Sequence, residues 1–200
     1  MNFNDEAKEW DTERRINRAK QIADFLKSKI NFDNKSVVLE FGCGTGLISN
    51  HFLDYFSKII GYDQSDKMLE VFNKKFLEEK DRVVGINNIV ELDSEVDIVI
   101  SSMVFHHIED INQSLNDIKK VLKKHGELII VDLDLDDGSF HSNEIGFKGH
   151  NGFDRDLFVK QLSLNGFNTI QVGTVLQDKK ILSNKEISYS LFYVHAIKID

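Results

Sequence analysis

The chain of 200 residues has no proline, where average usage would supply roughly ten. Any motif that depends on proline is therefore excluded. It has one cysteine, Cys43, so no internal disulfide can form, and a reducing compartment is expected. No Cys/His pair carries the spacing of a structural zinc site. No run of about 18 apolar residues is present, so no membrane span is expected. Positive charge is in deficit: 25 Lys and Arg against 33 Asp and Glu leave a net charge of −8. Such a surface repels phosphate backbones, which makes nucleic acid a poor default partner. The N-terminus, MNFNDEAKEWD, is acidic and polar, unlike a signal peptide, so the expected location is the cytoplasm. What is present is ordinary for a soluble globular protein: 41% apolar and 29% charged residues. The length fits one domain over 1–200, enough to bury a core without staples.

The hydrophobic pattern alternates between helical and strand periods. Residues 5–29 read as a first helix, with Ile16, Ala19, Ile22, Ala23, Leu26 and Ile30 at helical spacing. Short apolar runs at 37–41, 58–62 and 97–101 read as buried strands, 82–86 as a weaker one, and 128–131 as a fifth. Helices are expected at about 46–56, from Ser65 or Asp66 through Phe76, from Asp110 to a stop at Gly126, and from Asp154 to Asn165-Gly166. Two last strands, about 167–175 and 189–198, have no clear helix between them. The fold class is therefore α/β: a Rossmann-like, doubly wound, mostly parallel seven-stranded sheet with an antiparallel C-terminal edge hairpin. Residues 1–30 form an N-terminal helical cap. The irregular stretch 133–153 is too long for an idle loop in a compact domain.

The segment Glu40-Phe41-Gly42-Cys43-Gly44-Thr45-Gly46 is expected to join a strand to a helix. Its first glycine permits a sharp turn, the second lets a ligand approach the backbone, and the third allows close packing. A dinucleotide fingerprint would need glycine where Leu47 stands, and no Gly-Lys-Ser/Thr follows, so this is neither a dinucleotide loop nor a P-loop. Asp63 lies 21 residues after Gly42, close to the spacing of an acid that binds ribose hydroxyls.

These residues resemble motif I and the acidic G-x-D-x-S segment of the class I S-adenosylmethionine-dependent methyltransferases. The resemblance extends to V-D-I-V-I-S-S followed by His106-His107-Ile108-Glu109-Asp110, and to LKKHGELIIVD over 122–132. The matching motifs cover about residues 37–132 and are similar to those of the ubiquinone/menaquinone-type, small-molecule group. They imply S-adenosyl-L-methionine as cofactor, cradled by Gly42, Gly44 and Gly46. Glu40 would lie near its ammonium or sulfonium end, Asp63 and Gln64 at the ribose, Asn87 at the adenine and Ser101 beside the loop. The N/D-P-P-Y/F motif of enzymes acting on exocyclic amino groups of DNA or on glutamine is absent. The stretch His150-Asn151-Gly152-Phe153-Asp154-Arg155 resembles an acceptor-side segment of some members, which implies that Phe140, His141 and His150 line a pocket for a small-molecule acceptor. His106 and His107 stand where ligand lies in such sheets, as candidates for a general base or as pocket-shaping residues. No metal site is expected. Trp10 either covers the cofactor or, in the reading favoured by its helix, anchors the core. The rival readings are a non-catalytic S-adenosylmethionine-binding module and an NAD-dependent oxidoreductase, the latter opposed by Leu47.

Overall fold

The computed structural model describes residues 3–199 apart from 91, 93, 145, 183 and 184. Its helices are α1 (Phe3–Glu6), α2 (Glu13–Lys29), α3 (Asp66–Lys75), α4 (Ile111–Val121) and α5 (Arg155–Leu164). Its strands are β1 (Val37–Phe41), β2 (Lys58–Tyr62), β3 (Val83–Ile86), β4 (Val96–Ser102), β5 (Leu122–Leu133), β6 (Phe167–Leu182) and β7 (Lys185–Lys198). They form one sheet in the order β3-β2-β1-β4-β5-β7-β6. β1 to β5 pair in parallel, while β7 runs antiparallel between β5 and β6. This is the expected doubly wound sheet with its edge hairpin.

Strand alternation sends successive side chains to opposite faces. In β1, Val38 joins the core layer beneath α2 and α3, whereas Leu39 joins the layer beneath α4 and α5. α2 buries Ala19, Ile22, Ala23 and Leu26, an i, i+3, i+4, i+7 stripe. Ile16, expected in that stripe, is exposed instead. The caps follow the side chains that start each helix. Ser65, Asp110 and Asp154 accept from the backbone N–H of Met68, Gln113 and Leu157 at 3.2, 3.0 and 3.0 Å. Of the two candidates for α3, Ser65 is the cap and Asp66 is the first helical residue.

Three expectations need correction. The first helix is broken: Trp10 to Thr12 separate α2 from the short N-terminal turns, and Thr12 caps α2. Residues 46–56 are not a helix but turns with a single 3-10 turn at Ser49–His51. α4 ends at Val121 rather than at Gly126, because Leu122 is already extended and opens β5.

Candidate active site

The strand order reverses between β1 and β4, and in open α/β sheets ligands settle at the carboxyl ends beside such a reversal. There the chain encloses a cavity of about 1020 Å³, bounded by the glycine loop after β1, the turn after β2 and the segment after β4. Gly42, Gly44 and Gly46 have φ of +76°, +52° and +79°, in the left-handed region. Their surroundings differ. A Cβ at Gly42 would strike Val104, and one at Gly46 would meet Phe76 at 2.5 Å and Phe72 at 2.8 Å. One at Gly44 would face the cavity, meeting only Trp10 Nε1 at 3.6 Å. The outer two glycines fold and pack the loop, and the middle one leaves it open.

Asp63 ties this loop to the end of β2. One carboxylate oxygen accepts from Gly44 N and the other from Ser65 N, both at 2.8 Å. Burial raises the Asp63 carboxyl, with those two N–H groups opposing it. Gln64 lines the cavity from an exposed position. Glu40 is buried, and its carboxylate accepts from Ser49 N at 3.0 Å and from the Ser49 hydroxyl. Burial pushes its pKa up to about 8 against those hydrogen bonds, with Asp63 adding to the rise.

Three expected cofactor residues lie off the cavity lining, the first being Gly46, which packs on Phe72 and Phe76. The buried Ser101 hydroxyl donates to Phe41 O at 2.9 Å, which joins β4 to β1, and Ser102 reaches the cavity in its place. Asn87 turns to Asp66, donating at 3.1 Å. After Ser102, Met103 takes φ of +61° at the cavity wall. This is a rare conformation for such a side chain and one that concentrates at ligand sites.

His106 and His107 both reach the cavity. His106 is buried with Nδ1 2.5 Å from the fully buried Asp132 at the end of β5. Burial works against an Asp132 charge, but His106 and the N–H groups of Leu133 and His106 outweigh it and hold the carboxyl below its usual range. His107 is pushed down to about 3 by burial, with His106 and His141 adding to the fall, so its ring is neutral near pH 7. The His106 and His141 rings are 5.0 Å apart, and His107 and His141 5.5 Å. Among the described residues no three His, Cys, Asp or Glu side chains are grouped to hold a metal ion.

The 133–153 segment supplies Phe140, His141 and Glu144 to the cavity. His141 Nδ1 lies 2.8 Å from a Glu144 carboxylate oxygen, while its Nε2 and the other Glu144 oxygen are buried without a protein partner. Phe147 stacks on His141 from behind at 3.8 Å. His150 does not join them. Its Nε2 faces Ile108 O at 2.9 Å and it borders a separate small cleft with Asn112 and Gln161. The reason lies one residue earlier: Gly149 packs so closely on the His106 carbonyl that a Cβ would overlap it, and this docking turns His150 outward.

Trp10, weighed as a cofactor cover or, in the favoured reading, a core anchor, lies half-buried at the glycine loop, under the Arg15 guanidinium at 3.8 Å, and not in the core. Sequence reasoning missed other cavity residues. Arg14, Arg18 and Lys180 also line the cavity. The Arg14/Arg18 pair was legible as an i, i+4 repeat on one helix face. Lys180 stands beyond the expected end of its strand.

Residues 39–130 match the family described as "Methyltransferase domain". An uncharacterized methyltransferase of Schizosaccharomyces pombe is 36% identical over 151 residues, covering 65% of this chain and 53% of that protein. Over this stretch the chain is similar to methyltransferase domains. A malonyl-[acyl-carrier protein] O-methyltransferase of Acetivibrio thermocellus is 29% identical over 133 residues, covering 64% of this chain and 46% of the relative. The chain thus spans about half the length of the curated relatives it matches. In fold, the chain is similar to the methyltransferase solved with the Haloferax volcanii Trm112 methyltransferase activator. The TM-score is 0.79 at 14% identity, over 100% of this chain and 98% of that one. The residues present fit S-adenosylmethionine, the cofactor that the sequence resemblance implies: Gly44 leaves open the space a Cβ would fill, beside a carboxylate held at ribose spacing.

Asp63→Asn is expected to weaken S-adenosylhomocysteine binding by roughly 2 kcal/mol, the scale of one charged hydrogen bond. Asp154→Ala removes a helix cap outside the cavity and is expected to cost about 1 kcal/mol of stability with no change in affinity. Calorimetric titration and thermal melting of the pair check this; equal affinity losses would mean that Asp63 does not face the ligand.

Proposed function

We propose that the protein transfers a methyl group from S-adenosylmethionine to a small-molecule acceptor by in-line displacement. The observation that carries this reading is the continuity of one cavity from Gly44 and Asp63 at one end to His106, His107 and His141 at the other. Its volume of about 1020 Å³ lies at the upper end of the range for ligand pockets, which suits a large ligand such as a nucleoside with an acceptor beside it. Bound S-adenosylmethionine supplies an activated methyl group on sulfur.

The chain's part is then orientation and exclusion of water. The glycine loop and Asp63 fix one partner. Phe3, Trp10 and Phe140 wall the cavity with apolar surface. His141 lines the cavity with Nδ1 directed at Glu144 and Nε2 buried without a protein partner among the described residues, and it is the side chain that would take a proton from an acceptor reaching that nitrogen. His106, locked to Asp132, holds the base of this cluster, and neutral His107 adds an uncharged wall. A cytoplasmic setting is supported by the single, buried cysteine. A small acceptor rather than nucleic acid is supported by the net charge of −8. Among the described residues no helix is long and apolar enough to cross a membrane.

S-Adenosylhomocysteine is expected to bind with a dissociation constant in the micromolar range and to raise the melting temperature as its concentration rises. Isothermal calorimetry against S-adenosylhomocysteine and against NAD is the test. Heat with NAD and none with S-adenosylhomocysteine would overturn the reading.

A further inference from the structure

Four cationic side chains line the cavity of this acidic chain, and they divide into two groups. Arg15 belongs to the glycine-loop side. Its guanidinium covers Trp10, donates to Trp10 O at 3.2 Å and pairs with Glu6 at 3.6 Å. Arg14, Arg18 and Lys180 belong to the histidine side and gather around Tyr189 and Phe140, whose rings are 5.1 Å apart. Arg14 lies over the Tyr189 ring at 5.6 Å, and Arg18 lies against the Tyr189 hydroxyl. The buried Lys180 ammonium sits 3.3 Å from the centre of the Phe140 ring and donates to the Phe140 carbonyl.

Among the described residues no carboxylate lies within ion-pair distance of these three. The acids that act on them do so from farther off. Asp178 is engaged by Tyr189, Glu144 by His141, and Asp136 by the backbone N–H groups of Gly138 and Phe140. Arg14 is exposed, while Arg18 is half-buried and Lys180 is buried; a cation taken out of water without a counter-charge is costly, and three in one wall repel each other. Burial and the neighbouring arginines lower Lys180 to about 8, and burial lowers Arg18. A wall of this kind is built for an anion that arrives from solution.

Resting on the methyltransferase reading above, we infer that the acceptor carries an oxyanion group, a carboxylate or a phosphate, held by Arg14, Arg18 and Lys180. Two guanidinium forks and an ammonium suit the several acceptor oxygens of such a group. The anchor also fixes where the reacting atom stands. Lys180 donates to the carbonyl of Phe140, the residue before His141, so an acceptor anchored there lies beside the His141 ring. The positive wall, set in a chain of net charge −8, concentrates the acidic acceptor at one place.

The full chain, free and saturated with S-adenosylhomocysteine, is titrated by calorimetry with malonate and separately with inorganic phosphate, at constant ionic strength. Saturable binding of at least one anion to the saturated protein is expected. Preference for malonate assigns a carboxylate acceptor, and preference for phosphate a phosphorylated one. Lys180→Gln and Arg18→Lys are each expected to weaken that binding by about tenfold, the effect of losing one charged hydrogen bond, with S-adenosylhomocysteine affinity unchanged. The inference is overturned if neither anion saturates or if the variants bind the anion as the parent does. It is also overturned if S-adenosylhomocysteine affinity falls in parallel, since the cations would then serve the cofactor's own carboxylate. Wild-type protein that binds no S-adenosylhomocysteine fails the methyltransferase reading itself, whatever the anions do.

Discussion

Gly44→Val is expected to weaken S-adenosylhomocysteine binding at least ~100-fold, about 2.8 kcal/mol, while the sheet stays folded. Two physical effects act at this residue. The backbone has φ of +52°, where an L side chain costs roughly 1–2 kcal/mol. The new side chain would also project into the cavity, where only Trp10 stands within 4 Å. The first effect lowers stability, and the second blocks the ligand. A second variant separates them. Gly146 has φ of +74° with nothing within 4 Å of its missing Cβ, and it does not line the cavity, so Gly146→Val carries comparable strain without the obstruction. Melting temperatures of both variants should fall by similar amounts, and only Gly44→Val should lose binding in calorimetry. If Gly44→Val binds as the parent does, the loop is a structural turn and the cofactor lies elsewhere.

The strands that carry the site were legible because parallel strands buried on both faces read as unbroken apolar runs. Val37–Phe41, Lys58–Tyr62 and the core of Val96–Ser102 are such runs, and each ends in the turn that reaches the cavity. The glycine loop was legible as a turn, and all three glycines take positive φ, but that only Gly44 leaves open space and that Gly46 lies off the cavity lining are matters of packing. The segment 46–56 misled. Its apolar residues Ile48, Phe52 and Phe56 do face the core, but the backbone hydrogen bonds a helix would need are diverted. Glu40 takes the N–H and hydroxyl of Ser49, and Gly46 sits in the left-handed region against Phe72 and Phe76. That competition comes from a strand residue nine positions earlier, and no periodicity reveals it.

The acceptor side was legible in composition but not in geometry. Phe140 and His141 reach the cavity and His150 does not, although all three stand in one aromatic and histidine-rich stretch. The difference is set by the docking of Gly149 on His106 O, a contact across 43 positions. Lys180 was hidden because β6 and β7 continue to Leu182 and from Lys185, well past the apolar alternation that marked their inner halves. There the hairpin is polar, as in Gln177-Asp178-Lys179-Lys180, and its strand character comes from cross-strand pairing rather than from its own pattern.

Glu40→Gln is expected to stabilise the ligand-free protein at pH 8 by on the order of 3 kcal/mol, which corresponds to roughly 6–10 °C in melting temperature. The sign follows from the carboxyl's position. Burial raises its pKa from 4.5 to about 8 in the folded chain. The unfolded chain therefore releases this proton above about pH 4.5 while the folded chain still holds it, so stability is lost as pH rises through that window, levelling off near pH 8. A glutamine keeps an oxygen acceptor for Ser49 and has no proton to lose, so it removes the slope. Depressed groups such as His107 titrate with the opposite sign, but they are common to both proteins, so the difference between the two stability curves isolates position 40. The curves, from urea unfolding between pH 5 and pH 8, should meet at the acidic end and separate toward the basic end. Parallel curves would show that Glu40 is ionised across the range, with water inside the cavity solvating its charge. The same substitution is expected to weaken S-adenosylhomocysteine. A carboxyl kept at the cavity wall against its own desolvation, and anchored only through Ser49, is the kind of local instability that persists at ligand sites. Gain in stability together with loss of affinity is the joint outcome that places Glu40 beside the bound cofactor.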